Sequence, residues 1–136
     1  MKIRNMTLED FPELAALWEP EGMDSSRDHY QRVLERNPDT CWVVEEHGEI
    51  LAAALGLFDG RRGFVQSVVV RKDCRNRGLG AQVVRKTIES LRECGTDRIR
   101  LFVRKRNSGV LKFYEKLGFA VEEGCHYLYD TSGTPV

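Results

Sequence analysis

The chain has 136 residues, 41% hydrophobic and 31% charged, with 21 basic and 21 acidic side chains that cancel to a formal net charge of zero. This length predicts one domain over residues 1–136, burying roughly 70% of its unfolded surface without help from disulfides or metal. The longest uncharged apolar run, Ile50 to Phe58, is about half a bilayer span, which excludes a transmembrane helix.

Neutrality hides an asymmetry. Residues 1–60 carry 5 basic and 13 acidic side chains, residues 61–116 carry 16 basic and 5 acidic, and the last twenty carry three acids and no base. The middle segment can therefore serve a polyanion although the whole chain is neutral. Met1 to Asn5 shows no apolar leader pattern. Cys41, Cys74, Cys94 and Cys125 are spaced as neither CxxC pairs nor a metal cluster. Both features predict a cytoplasmic chain with reduced thiols and no metal site.

In chain order, Lys2 to Met6 alternates as a short strand does, and Thr7 with Asp10 three residues on marks a helix start. Phe11, Leu14 and Trp18 form one apolar face of that helix. A polar loop with Pro20 and Gly22 leads to a second helix ending near Asn37-Pro38. Cys41 to Glu45, Ile50 to Phe58 and Phe64 to Val70 read as an antiparallel meander joined at His47-Gly48 and Asp59 to Gly63. Val83, Val84, Ile88 and Leu91 then repeat at helical spacing. A strand follows at Arg98 to Val103, and a last helix starts near Asn107 or Ser108 and stops at Gly118. Two short strands, Phe119 to Glu122 and His126 to Tyr129, complete the order β-α-α-β-β-β-α-β-α-β-β. The fold class expected is α+β, with a mixed, mostly antiparallel sheet of about seven strands and about four helices.

Chemistry concentrates between Val70 and Ala81. The glycine-bearing turn Arg75-Asn76-Arg77-Gly78-Leu79-Gly80-Ala81 joins a strand to a helix, aiming backbone N–H groups and the positive end of the helix dipole at one point. Gly78 and Gly80 allow close backbone approach, and Arg75 and Arg77 add charge. No G-x-x-x-x-G-K-[ST] occurs, and Val83 stands where a dinucleotide fingerprint needs its third glycine. Downstream, Asn107 and Tyr114 are seven residues apart, nearly two helical turns, so they share one side of the helix roughly 10 Å apart.

These residues resemble those of the GNAT-type N-acetyltransferases. Arg75-x-x-Gly78-x-Gly80 is similar to the family's [Q/R]-x-x-G-x-[G/A] acyl-coenzyme A signature, and Asn107…Tyr114-x-Lys116-x-Gly118-Phe119 to its N-x₆-Y-x-K-x-G-F element. The order of elements around both motifs extends the resemblance to essentially the whole chain. It implies acetyl-coenzyme A as co-substrate, without a metal, and a primary amine on a small molecule or peptide as acceptor. The backbone amides of Arg77, Gly78, Leu79, Gly80 and Ala81 would hold the pyrophosphate, with Arg75, Asn76 and the Arg77 side chain beside it. Val68 and Val70 would pair with the pantetheine arm like an added strand, Asn107 would contact that arm, and Tyr114 would protonate the departing thiolate. The loop departs from the family habit of Pro at position 72, an aromatic at 74 and Gly at 76, none of which removes a phosphate-binding amide. Cys74 is then either a thiol activated by nearby arginines or a packed small residue.

An amine of pKa near 10.4 is neutral in less than about one part in a thousand at pH 7, so removing its proton costs roughly 4–5 kcal/mol. Relatives place a Glu for this on the strand before the loop, whereas Phe64 to Val70 holds no carboxylate. Gln66 or Ser67 through water, or Glu45 or Glu46, are the alternatives. Trp18, Glu19, Glu21, Asp24, Asp28, His29 and Tyr30 make an acidic and aromatic mixture suited to a cationic acceptor. Two rival readings stand: a non-catalytic acyl-coenzyme A sensor on the same fold, supported by the missing carboxylate, and a nucleic-acid binder. The second is disfavoured because the loop arginines cluster on a glycine turn and no aromatics are interleaved for base stacking. Neither nucleic acid nor membrane is an expected partner, and the chain is read as a monomer or homodimer.

Overall fold

The computed structural model describes residues 1–104 and 109–132, and the chain divides into two compact units, Met1–Phe102 and Val103–Val136. In the first unit one sheet runs in the order β1 (Lys2–Asn5), β2 (Trp42–Glu46), β3 (Glu49–Phe58), β4 (Gly63–Val70) and β5 (Ile99–Arg100). The first four strands are antiparallel neighbours, and β5 lies parallel to β4. Local chemistry sets this arrangement. His47 and Gly48 take φ of 53° and 77°, the left-handed pair that a two-residue hairpin loop needs. Asp59 closes the next turn by accepting from the N–H groups of Arg61 and Arg62 at 2.9 and 2.6 Å.

Helices α1 (Phe11–Trp18) and α2 (Arg27–Arg36) cover one sheet face, where Leu14, Trp18, Tyr30 and Leu34 bury with Val43, Ala53, Leu55 and Val69. The crossover helix α3 (Leu79–Glu93) covers the other face with Val83, Val84, Thr87 and Leu91. Its close seating depends on Gly56, where a β-carbon would stand 2.3 Å from the Thr40 carbonyl and 2.8 Å from Thr87 Cγ2. The expected start at Thr7 and Asp10 forms a single 3₁₀ turn, Leu8–Asp10, that leads into α1, with the Thr7 N–H donating to Asp10 Oδ2 at 2.8 Å.

One irregularity interrupts the ladder between β3 and β4. Ala53 pairs with Val69 and Leu55 with Gln66, so Ser67 and Val68 together face the single Ala54, and Ser67 takes a φ of 53°. This is a β-bulge, which bends and twists its strand. It also shifts the alternation: Gln66 and Val69, three residues apart, share the face of α1 and α2. Pairing between β4 and β5 is confined to Gly63 and Phe64, short of the bulge.

The second unit contains α4 (Leu111–Lys116). Gly118, at φ 101°, ends it as expected: its N–H donates to the Glu115 carbonyl and the Phe119 N–H to the Tyr114 carbonyl, at 3.0 and 3.1 Å, which is a Schellman arrangement.

Two expectations are corrected. The strand expected over Arg98 to Val103 is only Ile99–Arg100. The strands expected at Phe119 to Glu122 and His126 to Tyr129 are absent among the described residues, so the sheet has five strands, not seven. Alternation marks a segment able to line a sheet, but a strand exists only where a neighbouring edge takes its backbone hydrogen bonds.

Candidate functional site

The first unit assembles the loop and strand that the motif singled out. After β4 a 3₁₀ turn, Lys72–Cys74, leads to Arg75 in extended backbone, Asn76 at φ 65° and Gly78 at φ 78°. Asn76 thus occupies a left-handed position where the family pattern has Gly; asparagine is among the few side chains that tolerate it. Gly78 caps α3, and the first bond of the helical ladder runs from the Gln82 N–H to the Gly78 carbonyl at 3.1 Å. The N–H groups of Leu79, Gly80 and Ala81 precede that ladder and point out of the helix start. Apart from Gly78 itself and its two chain neighbours, nothing lies within 4 Å of where a β-carbon on Gly78 would stand, so the space beside this cap is open. A 15-residue helix aims its positive end into that space.

The strand edge beside the loop is oriented as the sequence reading requires. The Arg71 N–H donates to the Leu51 carbonyl at 2.8 Å, so the adjoining Val70 turns its N–H and C=O away from β3, and strand alternation gives Val68 the same sense. Arg75 covers part of this edge, its Nε donating to the Val70 carbonyl at 3.2 Å while Nη2 meets Glu21 Oε1 at 2.7 Å. Arg77 Nη2 reaches Glu46 Oε2 at 3.4 Å, and Arg71 pairs with Glu49 and Asp73. Carboxylates, three of them from the acidic first half, therefore hold the loop cations where an anionic ligand would compete for them. Cys74 is 3% exposed and packs as a small residue, donating to Asp73 Oδ1 at 3.4 Å.

The remaining candidates separate. Tyr114, in the second unit, is half-buried with its ring 4.9 Å from Phe113 and 5.8 Å from Phe119, and burial raises its phenol above the ordinary value. Asn107 lies outside the described residues. Glu45 is held by Arg4 at 2.8 Å, in a network that Arg4 extends to Asp10, and Glu46 by Arg77. Gln66 is exposed on the face of α1 and α2. Of the acidic and aromatic mixture, Trp18 and Tyr30 belong to the core, and the Tyr30 hydroxyl donates to the Thr7 carbonyl at 2.6 Å. Sequence reasoning missed two links. Glu21 reaches Arg75 across 54 positions, and the Trp18 indole donates to the Ser67 carbonyl at 2.9 Å across 49. Neither has a local signal, because each partner is set by sheet packing. Among the described residues no group of three or more His, Cys, Asp or Glu is placed to hold a metal ion, and no helix is long and apolar enough to cross a membrane.

The model of the acetyltransferase (GNAT) family matches residues 1–119. An acetyltransferase of Sodalis glossinidius is 32% identical over 128 residues, covering 90% of this chain and 89% of its own. One of Pectobacterium atrosepticum is 33% identical over 124 residues, covering 88% and 87%. Among solved structures, glucosamine-6-phosphate N-acetyltransferase from Arabidopsis thaliana has a similar fold at a TM-score of 0.76 and 22% identity, covering 94% of this chain and 97% of that one. Ard1 from Thermoplasma volcanium is similar in fold at a TM-score of 0.81 and 18% identity, covering 90% and 84%. With the loop, the open strand edge and a match spanning both motifs, the chain belongs to the GNAT family of acetyltransferases.

Proposed function

We propose that the protein transfers the acetyl group of acetyl-coenzyme A to a primary amine, on a small molecule or a peptide, by direct attack within a ternary complex. The observation that carries this reading is the convergence, in one unit, of the open start of α3 with the outward-facing backbone of Val70 and Val68. The first suits a pyrophosphate, and the second suits an extended pantetheine arm added as a strand. The family match over residues 1–119 crosses the boundary between the two units, which supports reading residues 1–136 as one functional domain.

In the reaction so read, Gly78, Leu79, Gly80 and Ala81 donate backbone N–H groups to the phosphates, with Asn76, Arg77 and Arg75 beside them. The amine lone pair attacks the thioester carbonyl carbon, the C–N bond forms, and the C–S bond breaks with its electron pair passing to sulfur. Tyr114 supplies a proton to that thiolate. Its raised pKa keeps the phenol protonated through neutral pH, and a thiol of pKa near 8.5 needs only modest help to leave. The ammonium proton leaves through water along Gln66, since Glu45 and Glu46 are already engaged with arginines.

The test is a thiol-release screen with acetyl-coenzyme A over small amines, amino acids, peptides and aminoglycosides, with mass detection of the N-acetyl product. Saturable release with one acceptor class is expected. Tight acetyl-coenzyme A binding with no release from any class favours the sensor reading, for which the carboxylate-free strand speaks. A protein that binds no acetyl-coenzyme A refutes both.

A further inference from the structure

We infer that Trp18 is a positioning residue for the acetyl end of the donor site, acting through its indole N–H on the Ser67 carbonyl. The inference rests on the proposed donor edge at Val68 and Val70 and goes beyond it in naming what holds that edge in shape. Ser67 is a non-glycine residue at φ 53°, a left-handed conformation that is strained in an L residue. It is also the extra residue of the β4 bulge, where ladder pairing is locally lost. Such a backbone persists only where its surroundings over-determine it. Here the surroundings are explicit: Trp18 is 2% exposed, and its Nε1 donates to the Ser67 carbonyl at 2.9 Å.

The indole is itself fixed. Its ring lies 5.9 Å from that of Tyr30, whose hydroxyl is tied to the Thr7 carbonyl. A rigid path thus runs from the helix pair to the bulge, and the bulge sets the alternation that turns Val68 and Val70 outward. Ser67 is adjacent to Val68, while the phosphate loop begins only after Val70. Trp18 therefore acts on the thioester end of the edge and not on the phosphate end.

The experiment compares the wild type with Trp18→Phe and with a chain carrying benzothienylalanine at position 18. The second replacement keeps the bicyclic shape and removes only the N–H, so it serves where the Phe variant fails to fold. Calorimetry is run with acetyl-coenzyme A and with 3′-phospho-ADP, which carries the phosphates without the pantetheine arm. Loss of one hydrogen bond to the bulge should weaken acetyl-coenzyme A roughly fivefold to tenfold and leave 3′-phospho-ADP unchanged. The chain has two tryptophans, so the indole resonance of Trp18 can be followed with Trp42 as internal reference. It should shift with acetyl-coenzyme A and stay still with 3′-phospho-ADP. Equal weakening of both ligands, or unchanged acetyl-coenzyme A affinity in the isosteric variant, overturns the positioning role. A wild type that binds 3′-phospho-ADP but no acetyl-coenzyme A overturns the donor-edge reading, and this inference with it.

Discussion

Gly78→Ala separates folding from donor binding at a single atom. Gly78 has φ 78° and ψ 9°, and an added β-carbon would meet nothing within 4 Å. The cost to folding is then the left-handed backbone alone, about 1–2 kcal/mol, which lowers Tm by about 3–10 °C in a domain of this size. The methyl group would stand in the open space before the helix. A pyrophosphate pushed away from that start loses one or two hydrogen bonds of the charge-assisted kind, about 1.5–3 kcal/mol each, so acetyl-coenzyme A should bind at least about tenfold more weakly. Gly56→Ala is the contrasting control. Its β-carbon would press on the Thr40 carbonyl, a backbone atom that cannot swing aside, so that variant should lose the fold before it loses the ligand. Calorimetric titration with acetyl-coenzyme A, paired with a thermal melt, reads both quantities. A Gly78→Ala protein with lowered Tm and unchanged affinity would refute the placement of the phosphates at the start of α3.

Tyr114→Phe should lower kcat with an identified acceptor and leave acetyl-coenzyme A affinity unchanged. Because burial raises the phenol, the wild type should lose activity only at a pH above the ordinary tyrosine value; an unchanged kcat in the variant excludes the acid role. Glu21→Gln frees Arg75 from a half-exposed ion pair, and such pairs are worth about 0–1 kcal/mol. Acetyl-coenzyme A should therefore bind up to about fivefold more tightly at low salt, a gain that salt erases, whereas weaker binding would mean that Glu21 orients Arg75 instead of competing for it. At Asp10, burial raises the carboxyl pKa, but the hydrogen bonds from Arg4 and from the Thr7 N–H outweigh it and leave the net value below the ordinary one. A depressed folded pKa stabilises the protein above the unfolded value near 3.9, and that contribution is lost as pH falls through the folded value. Asp10→Asn should cost roughly 1.5–3 kcal/mol near pH 7 in denaturant unfolding, with the gap closing as pH falls below the ordinary carboxylate range. A gap independent of pH would dismiss the ion pair as its source.

Much of the site was legible in the residues. A glycine turn between a β-branched run and an amphipathic helix announces its geometry locally, because Gly78 and the helix start need no distant partner to point N–H groups outward. Gly118 announced the end of α4 for the same reason. The ion pairs of Arg75 and Arg77 were not legible, since Glu21 and Glu46 are brought to the loop only by folding of the sheet and its helices.

By itself, then, the sequence determined what depends on neighbours a few residues apart: the antiparallel meander, the amphipathic helices, the phosphate-loop geometry and the charge divided between its halves. The tertiary structure alone decided the two-residue β5, a sheet of five strands among the described residues where seven were expected, and the bulge at Ser67 held by an indole 49 positions away. Nothing in Phe64-Val65-Gln66-Ser67-Val68-Val69-Val70 signals that bulge. Strand register belongs to the pairing between strands, and Ser67 is forced to positive φ only once β3 and the helix that carries Trp18 are in place.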